Sequence, residues 1–222
     1  TDMKKPYKHV HNDLYCVINN IDLVVDSDNF TIWLKKWIAT LQLCMFCFKY
    51  IDNEYDETKK DIIANLFGHI DYLNNILKDI FFNEKNIYNV FSICVDNNYA
   101  FNCMIDYIIN YDDKKIKYTD FYSSTHGESI IRKAIMNNQN DVIDSIFDVY
   151  TYIHNTSNFV NMKYLIKALD ISIKHKKIEA SEFIYNEFNY TYKNQPRLKK
   201  KSTIGDIRAS FIKRMNRLKR II

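Results

Sequence analysis

The chain has very little glycine and proline, with three glycines and two prolines in 222 residues. Average proteins contain about 7% glycine and about 5% proline. Tight turns, two-residue β-hairpins and glycine-built phosphate loops need the positive φ that glycine adopts freely. The composition therefore leaves little room for β-rich folds or nucleotide-binding loops. It predicts an all-α protein in which asparagine takes the left-handed turn positions.

Long hydrophobic runs and a secretory signal are also missing. The longest apolar run surrounds residues 41–48 and reaches about a dozen residues, against the ~20 that span a bilayer. The first residues contain no apolar core typical of a signal peptide. The five cysteines lie in apolar contexts, and Cys44-Met-Phe-Cys47 has no second ligand pair, so we interpret them as core thiols in a reducing compartment. These features predict an intracellular, cytoplasmic protein without a transmembrane segment.

Patterns typical of active sites are absent from the sequence. There is no G-x-G-x-x-G, G-x-x-x-x-G-K-[ST], G-x-S-x-G or H-E-x-x-H. We interpret His9 and His11 as part of a polar leader, and Asp141, Asp144 and Asp148 as a solvated helix face. The sequence predicts that the protein is not an enzyme and has no cofactor and no metal site.

Helical periodicity recurs along the chain between short polar breaks. It predicts N-terminal helices in residues 1–56, stacked helical hairpins in 57–190, and a basic linker followed by an amphipathic helix in 191–222. The N-terminal helices are expected at 11–24 and from Asp28 or Asn29 to about Tyr50. The predicted hairpin turns are Gly68-His69, Asn97-Asn98, Asn137-Asn138 and His175-Lys176.

Residues 127–147 match the spacing of one helical-repeat family. Gly127 and Ser129 stand at the glycine and threonine of an ankyrin repeat, and Ala134 stands at its small helix-packing residue. Asn137-Asn138 replaces the Asn-Gly turn, and the apolar positions of the second helix follow it: Val142, Ile143, Ile146 and Phe147. The segment resembles a divergent ankyrin repeat, and the array resembles the ankyrin-like proteins of large cytoplasmic DNA viruses (poxviruses and African swine fever virus).

This resemblance implies a non-enzymatic scaffold that binds another protein. By analogy with the viral families, the partner would be a host factor of immune signalling, cell death or host range. Tyr118, Phe121 and Tyr122 lie where the repeat would place its projecting loop, so we predict that they contact the partner. The alternative is that tyrosine replaces leucine in the core of a chain from an A+T-rich genome.

The C-terminal segment is strongly basic. Residues 193–222 hold eleven basic residues and one acid, which makes +10, and the whole-chain charge of +4 therefore leaves −6 on residues 1–192. Thr203 to Asp206 have capping-box spacing, and an apolar stripe follows from Ile204 to Ile222. The candidate basic residues are Arg197, Lys199, Lys200, Lys201, Arg208, Lys213, Arg214, Arg217, Lys219 and Arg220.

Four roles are open for this segment, and two for the whole chain. The helix could cover the last repeat as a cap, enter a partner's groove, contact nucleic acid or a nuclear import receptor, or adsorb to an anionic membrane. The alternatives for the whole chain are a compact bundle, like the viral Bcl-2-like proteins, around a central helix at 33–50, and a nucleic-acid-binding or virion protein that acts through its basic tail. The sequence makes no prediction of oligomeric state.

Overall fold

The computed structural model describes residues 27–48, 56–77, 84–111, 121–122, 129–154, 162–194 and 202–220. Within these ranges the regular structure is helical and no strand occurs, which confirms the all-α prediction. The helices are α1 (Ser27–Phe48), α2 (Asp56–Leu77), α3 (Glu84–Cys94), α4 (Asn98–Tyr111), α5 (Ile130–Met136), α6 (Asn140–His154), α7 (Met162–Lys174), α8 (Ile178–Asn194) and α9 (Ser202–Arg220).

The chain divides into two compact units, Thr1–Tyr111 and Asp112–Ile222. The first contains α1 to α4 and the second contains α5 to α9. The division falls inside the segment 57–190 that the sequence groups as one repeat array.

Helix α1 in the first unit confirms the second of the predicted N-terminal helices. Its apolar stripe is buried, and Trp37 is completely inaccessible. The Trp37 indole Nε1 donates a hydrogen bond to the carbonyl oxygen of Leu66 in α2 at 3.0 Å, and the indole packs edge-on against Phe67 with 5.7 Å between ring centres. A buried indole needs such a polar partner, so this bond fixes how α1 lies on α2. The helix predicted at 11–24 lies outside the described residues.

The turn predicted at Gly68-His69 is wrong, because α2 continues through both residues. Apolar residues recur at helical spacing on both sides of Gly68, at Ile63 and Leu66 before it and at Leu73 and Ile76 after it. A glycine inside a helix costs only about 1 kcal/mol relative to alanine. One glycine is therefore too weak a signal to break a helix whose apolar pattern runs on.

The turn predicted at Asn97-Asn98 is confirmed between α3 and α4. The side-chain oxygen of Asn97 accepts a hydrogen bond from the backbone N–H of Ala100 at 3.0 Å, and its carbonyl accepts one from Phe101 at 3.0 Å. Asn97 is thus the N-cap of α4, a position that asparagine favours. Phe91 and Phe101 close the hairpin, with their ring centres 5.1 Å apart.

In the second unit, successive helices form hairpins that contact one another. Helix α5 packs against its own partner α6 and also against α7, and α7 packs against α8. Helix α9 contacts both α7 and α8. It therefore packs on the α7–α8 hairpin and is held by both of its helices.

Helix α9 packs on α7 and α8 through its apolar stripe. Ile204, Phe211, Met215 and Leu218 are all buried, and the Phe211 ring packs edge-on against Phe188 of α8 with 6.2 Å between ring centres. This confirms the cap among the four roles that the sequence left open for this helix. The helix begins at Ser202, one residue before the predicted N-cap Thr203.

Candidate protein-interaction surface

The turn between α5 and α6 is a Schellman motif built around Asn138. Asn138 has φ 53°, the left-handed conformation. Its N–H donates to the carbonyl of Ile135 at 3.2 Å, and the N–H of Gln139 donates to the carbonyl of Ala134 at 3.0 Å. These two bonds satisfy carbonyls that the end of a helix leaves without partners. The structure thus confirms that asparagine takes a left-handed turn position here.

The turn between α7 and α8 repeats the same bonds 38 residues later. Lys176 has φ 55°, its N–H donates to the carbonyl of Ile173 at 3.1 Å, and the N–H of Lys177 donates to the carbonyl of Ser172 at 2.9 Å. Adding 38 to each residue number of the first turn gives the corresponding residue of the second. The two hairpins therefore share the same turn geometry.

The core of the two hairpins matches at the same offset. Five pairs of completely inaccessible residues are related by 38 positions: Ile131 and Leu169, Ala134 and Ser172, Val142 and Ala180, Ile143 and Ser181, and Ile146 and Ile184. Ala134 and Ser172 are both small, as the predicted helix-packing position requires.

At two of these positions the second hairpin has a serine where the first has an apolar residue, and both serines are hydrogen-bonded. The Ser181 hydroxyl donates to the Ser172 hydroxyl oxygen at 2.9 Å, and Ser172 donates to the carbonyl of Leu169 at 2.8 Å. Buried hydroxyls are tolerated when they find such partners. The second hairpin therefore keeps the shape of the first with a different side-chain chemistry.

The predicted partner-contact residues do not form a surface. Phe121 is completely inaccessible and Tyr122 is 3% exposed. The Tyr122 ring lies 4.8 Å from that of Tyr164 in α7, and its carbonyl accepts a hydrogen bond from Lys167 Nζ at 2.9 Å. The structure therefore assigns Phe121 and Tyr122 to the core and corrects that prediction, in favour of the alternative that aromatic residues fill the interior. Tyr118 lies outside the described residues.

An acidic face, defined here as Asp144, Asp148 and Glu187, joins α6 to α8. Burial raises the pKa of Asp144, and the charges of Asp148 and Asp141 raise it further. Burial likewise raises the pKa of Asp148. The pKa of Glu187 is raised by burial and then by the charges of Asp144 and Asp148. These carboxylates form no ion pair with a described residue.

The sequence predicted two of the three residues of this face, Asp144 and Asp148. It placed Asp141, Asp144 and Asp148 on one side of a helix, but Glu187 joins them only because α6 and α8 fold together. The structure leaves Asp141, Asp144 and Asp148 exposed, as the interpretation of a solvated helix face requires, and partial desolvation by neighbouring residues raises the pKa of Asp144 and Asp148. Among the described residues no group of three or more histidines, cysteines or acids is arranged to hold a metal ion. The chemistry that remains for the face is attraction of a cationic group.

Three of the predicted basic residues bind their own fold. Arg208 Nε donates to the side-chain oxygen of Asn189 at 2.8 Å, Arg214 pairs with Asp170 at 2.7 Å, and Lys219 pairs with Glu182. All three bonds attach α9 to α7 or α8. Lys213, Arg217 and Arg220 are exposed and make no such bond to a described residue. Arg197, Lys199, Lys200 and Lys201 lie outside the described residues.

A groove of about 460 Å³ runs between α8 and α9. Its lining residues are Glu182, Tyr185, Asn186, Ile212, Met215, Asn216 and Lys219. The lining mixes polar and apolar side chains and contains no nucleophile with an adjacent base.

In the part of the chain that the structure describes, no helix is long and apolar enough to cross a membrane.

Comparison with protein-family models, with curated proteins and with solved structures finds no match to this chain. The resemblance to ankyrin repeats therefore remains a prediction from residues 127–147. The structure itself shows the pair of matching hairpins, the acidic face and the basic helix α9 of the second unit.

Proposed function

We propose that the protein is a non-enzymatic scaffold that binds another protein through its repeated helical hairpins. The observation that supports this most is the match between the α5–α6 and α7–α8 hairpins in turn geometry and buried positions at one offset of 38 residues. Stacked copies of one helical unit build extended recognition surfaces. The ankyrin-like spacing of residues 127–147 supports the same function.

The acidic face is the place on this scaffold where we expect a partner to bind. The three carboxylates lie close enough that the charges of Asp144 and Asp148 raise the pKa of Glu187, so their mutual repulsion lowers the stability of the fold at neutral pH. Residues that lower the stability of the fold, and that form no bond which offsets the loss, are frequent at functional surfaces. The face therefore fits a partner that supplies lysine or arginine side chains. By resemblance to the viral ankyrin-like families, the partner would be a host protein.

The test is capture of the partner from nuclease-treated extract of eukaryotic cells by the full chain. The full chain is needed because removing α9 would expose Phe188 and its neighbours. The test variant combines Asp144→Asn, Asp148→Asn and Glu187→Gln. The matched control removes three negative charges elsewhere, with Asp61→Asn, Asp106→Asn and Asp206→Asn, all at exposed positions.

We expect a discrete protein to remain bound to the wild type and to the control after nuclease treatment. Its retention by the acidic-face variant should fall at least about tenfold, the effect of roughly 1.4 kcal/mol of lost binding free energy. Binding that disappears with nuclease would contradict the scaffold. Equal retention by the variant would instead rule out the acidic face as the docking surface.

A further inference from the structure

The six cations of α9 separate into two sets by their position around the helix. At 100° per residue, Lys213, Arg217 and Arg220 fall opposite the buried stripe, and we call them the outer face. Arg208, Arg214 and Lys219 fall at the edges of the stripe. The single acid of the helix, Asp206, lies two turns before Lys213.

The edge cations bind side chains of the fold, whereas the outer-face cations do not. Each edge cation binds a side chain of α7 or α8, as described above. The three outer-face side chains form no hydrogen bond or ion pair with any described residue. The helix dipole favours Arg217 and Arg220, which lie in the last turn, but it does not account for Lys213.

The structure disfavours a membrane as the ligand of this face. A helix that adsorbs to a bilayer inserts a broad apolar face beside its cations. The apolar stripe of α9 is already buried against the second unit. Beside the outer face lie Ala209, Ser210 and Asn216, which are exposed and offer no side chain for insertion, and Ile212, which is 37% exposed, is a single apolar side chain and not a broad apolar face.

We propose that the outer face of α9 binds the phosphodiester backbone of a polynucleotide. This proposal is independent of the protein-binding function, since it uses a different face. Arginine forms paired hydrogen bonds with phosphate, lysine adds a point charge, and serine and asparagine side chains are frequent donors to phosphate oxygens. Ser210 and Asn216 are placed beside the cations to supply such bonds.

The length of the face suits a run of phosphates. Lys213 and Arg220 are seven positions apart in the helix, which corresponds to about 10 Å. One strand of a duplex advances about 3.4 Å per phosphate along its axis, so roughly three phosphates fit this length. Because the face lacks aromatic side chains for stacking on bases, recognition is of the backbone and not of the base sequence.

Fluorescence anisotropy with the full chain tests the proposal. The probes are a labelled random-sequence DNA duplex and a labelled single-stranded RNA, each measured from about 50 to about 200 mM salt. The test variant combines Lys213→Gln, Arg217→Gln and Arg220→Gln. The control variant, Lys35→Gln, Lys36→Gln and Lys174→Gln, removes the same net charge at exposed positions outside α9.

Three phosphate contacts predict that wild-type affinity for the duplex falls about 40-fold over this salt range. The outer-face variant should lose most of this dependence, with a salt slope smaller by about 2 to 3, while the control variant should match the wild type. The duplex and RNA probes distinguish between the two sources of phosphodiester. Circular dichroism should show unchanged helix content in both variants, since the substituted side chains are exposed.

Equal weakening by both variants would overturn the proposal, because it would show a response to net charge alone. Unchanged binding by the outer-face variant would overturn it as well. So would binding to vesicles of phosphatidylserine and phosphatidylcholine without binding to either polynucleotide. None of these results bears on capture of a protein through the acidic face.

Discussion

At the scale of single residues, Asn138 and Lys176 hold the two repeat turns in place. Both adopt positive φ, which costs a residue with a Cβ atom roughly 1–2 kcal/mol. Asparagine tolerates this conformation better than most residues, so the sequence indicated the first turn correctly by residue type. Lysine has no such preference. The second turn was predictable only from the helical pattern on both sides of it.

We therefore expect Lys176→Gly to stabilise the protein by about 1 kcal/mol, because glycine adopts positive φ without strain. The midpoint of thermal unfolding should rise by about 2–4 °C for a chain of this size. Lys174→Gly is the matched control, since it removes the same charge from the last helical turn of α7 and should lower stability. A destabilised Lys176→Gly variant would show that the left-handed turn is not formed.

The raised pKa of Asp144 leads to a prediction about pH. A carboxyl with a folded pKa above its ordinary 3.8 binds its proton more tightly in the folded than in the unfolded state. Its contribution to stability is fully present below the unfolded pKa and is lost as pH rises through the folded value. Asp144→Asn should therefore raise the unfolding midpoint at pH 7, and the gain should vanish toward pH 4.

Thermal unfolding of this variant at several pH values checks the prediction. Asp106→Asn, at an exposed position of α4, controls for the loss of one negative charge. A gain that stays constant from pH 7 to pH 4 would mean that the titration of Asp144 is not its source.

At the scale of elements, the continuity of α2 is testable at Gly68. A Cβ atom added there meets no atom within 4 Å, and the backbone is helical. Gly68→Ala should therefore increase the free energy of unfolding by about 1 kcal/mol, and Ala64→Gly in the same helix should decrease it similarly. Urea unfolding of both variants measures this. A lower free energy of unfolding for Gly68→Ala would contradict a continuous α2 and would support the turn predicted at Gly68-His69.

The docking of α9 depends on its buried stripe. Phe211 is 5% exposed and packs on Phe188, so Phe211→Ala should cost about 3 kcal/mol. Its neighbour Ile212 is 37% exposed, and Ile212→Ala should change stability by less than about 0.5 kcal/mol. Amide hydrogen exchange should show lost protection in residues 202–220 for the first variant alone. Unchanged protection there would contradict the cap.

The sequence predicted the elements well where apolar spacing and turn residues agreed. That was the case for α3 to α8, whose breaks hold asparagine, histidine or lysine between two periodic segments. It failed at Gly68, where a turn residue interrupts a pattern that continues. Composition also could not distinguish buried from exposed aromatic residues, so the prediction that Phe121 and Tyr122 contact a partner was wrong. The burial of Tyr122 involves contacts with Tyr164 and Lys167 of α7, which lies about 40 positions away.

At the scale of the whole molecule, opposite charges are separated along the chain, but the acidic face and the basic helix α9 belong to the same compact unit. Residues 1–192 carry −6 and residues 193–222 carry +10. In the structure α9 packs on α7 and α8, so the acidic face and the outer face belong to one compact unit. The basic tail was evident from the sequence. The sequence did not show which of its cations bind the fold and which remain available to a ligand, because that depends on side chains of α7 and α8.

Amide hydrogen exchange on the full chain, with and without its captured partner, tests the central claim most directly. If the repeated hairpins are the recognition surface, exchange should slow in the turns at 137–139 and 175–177 and in α6 and α8 when the partner binds. Slowing confined to residues 202–220, or no slowing within residues 129–194, would contradict the account.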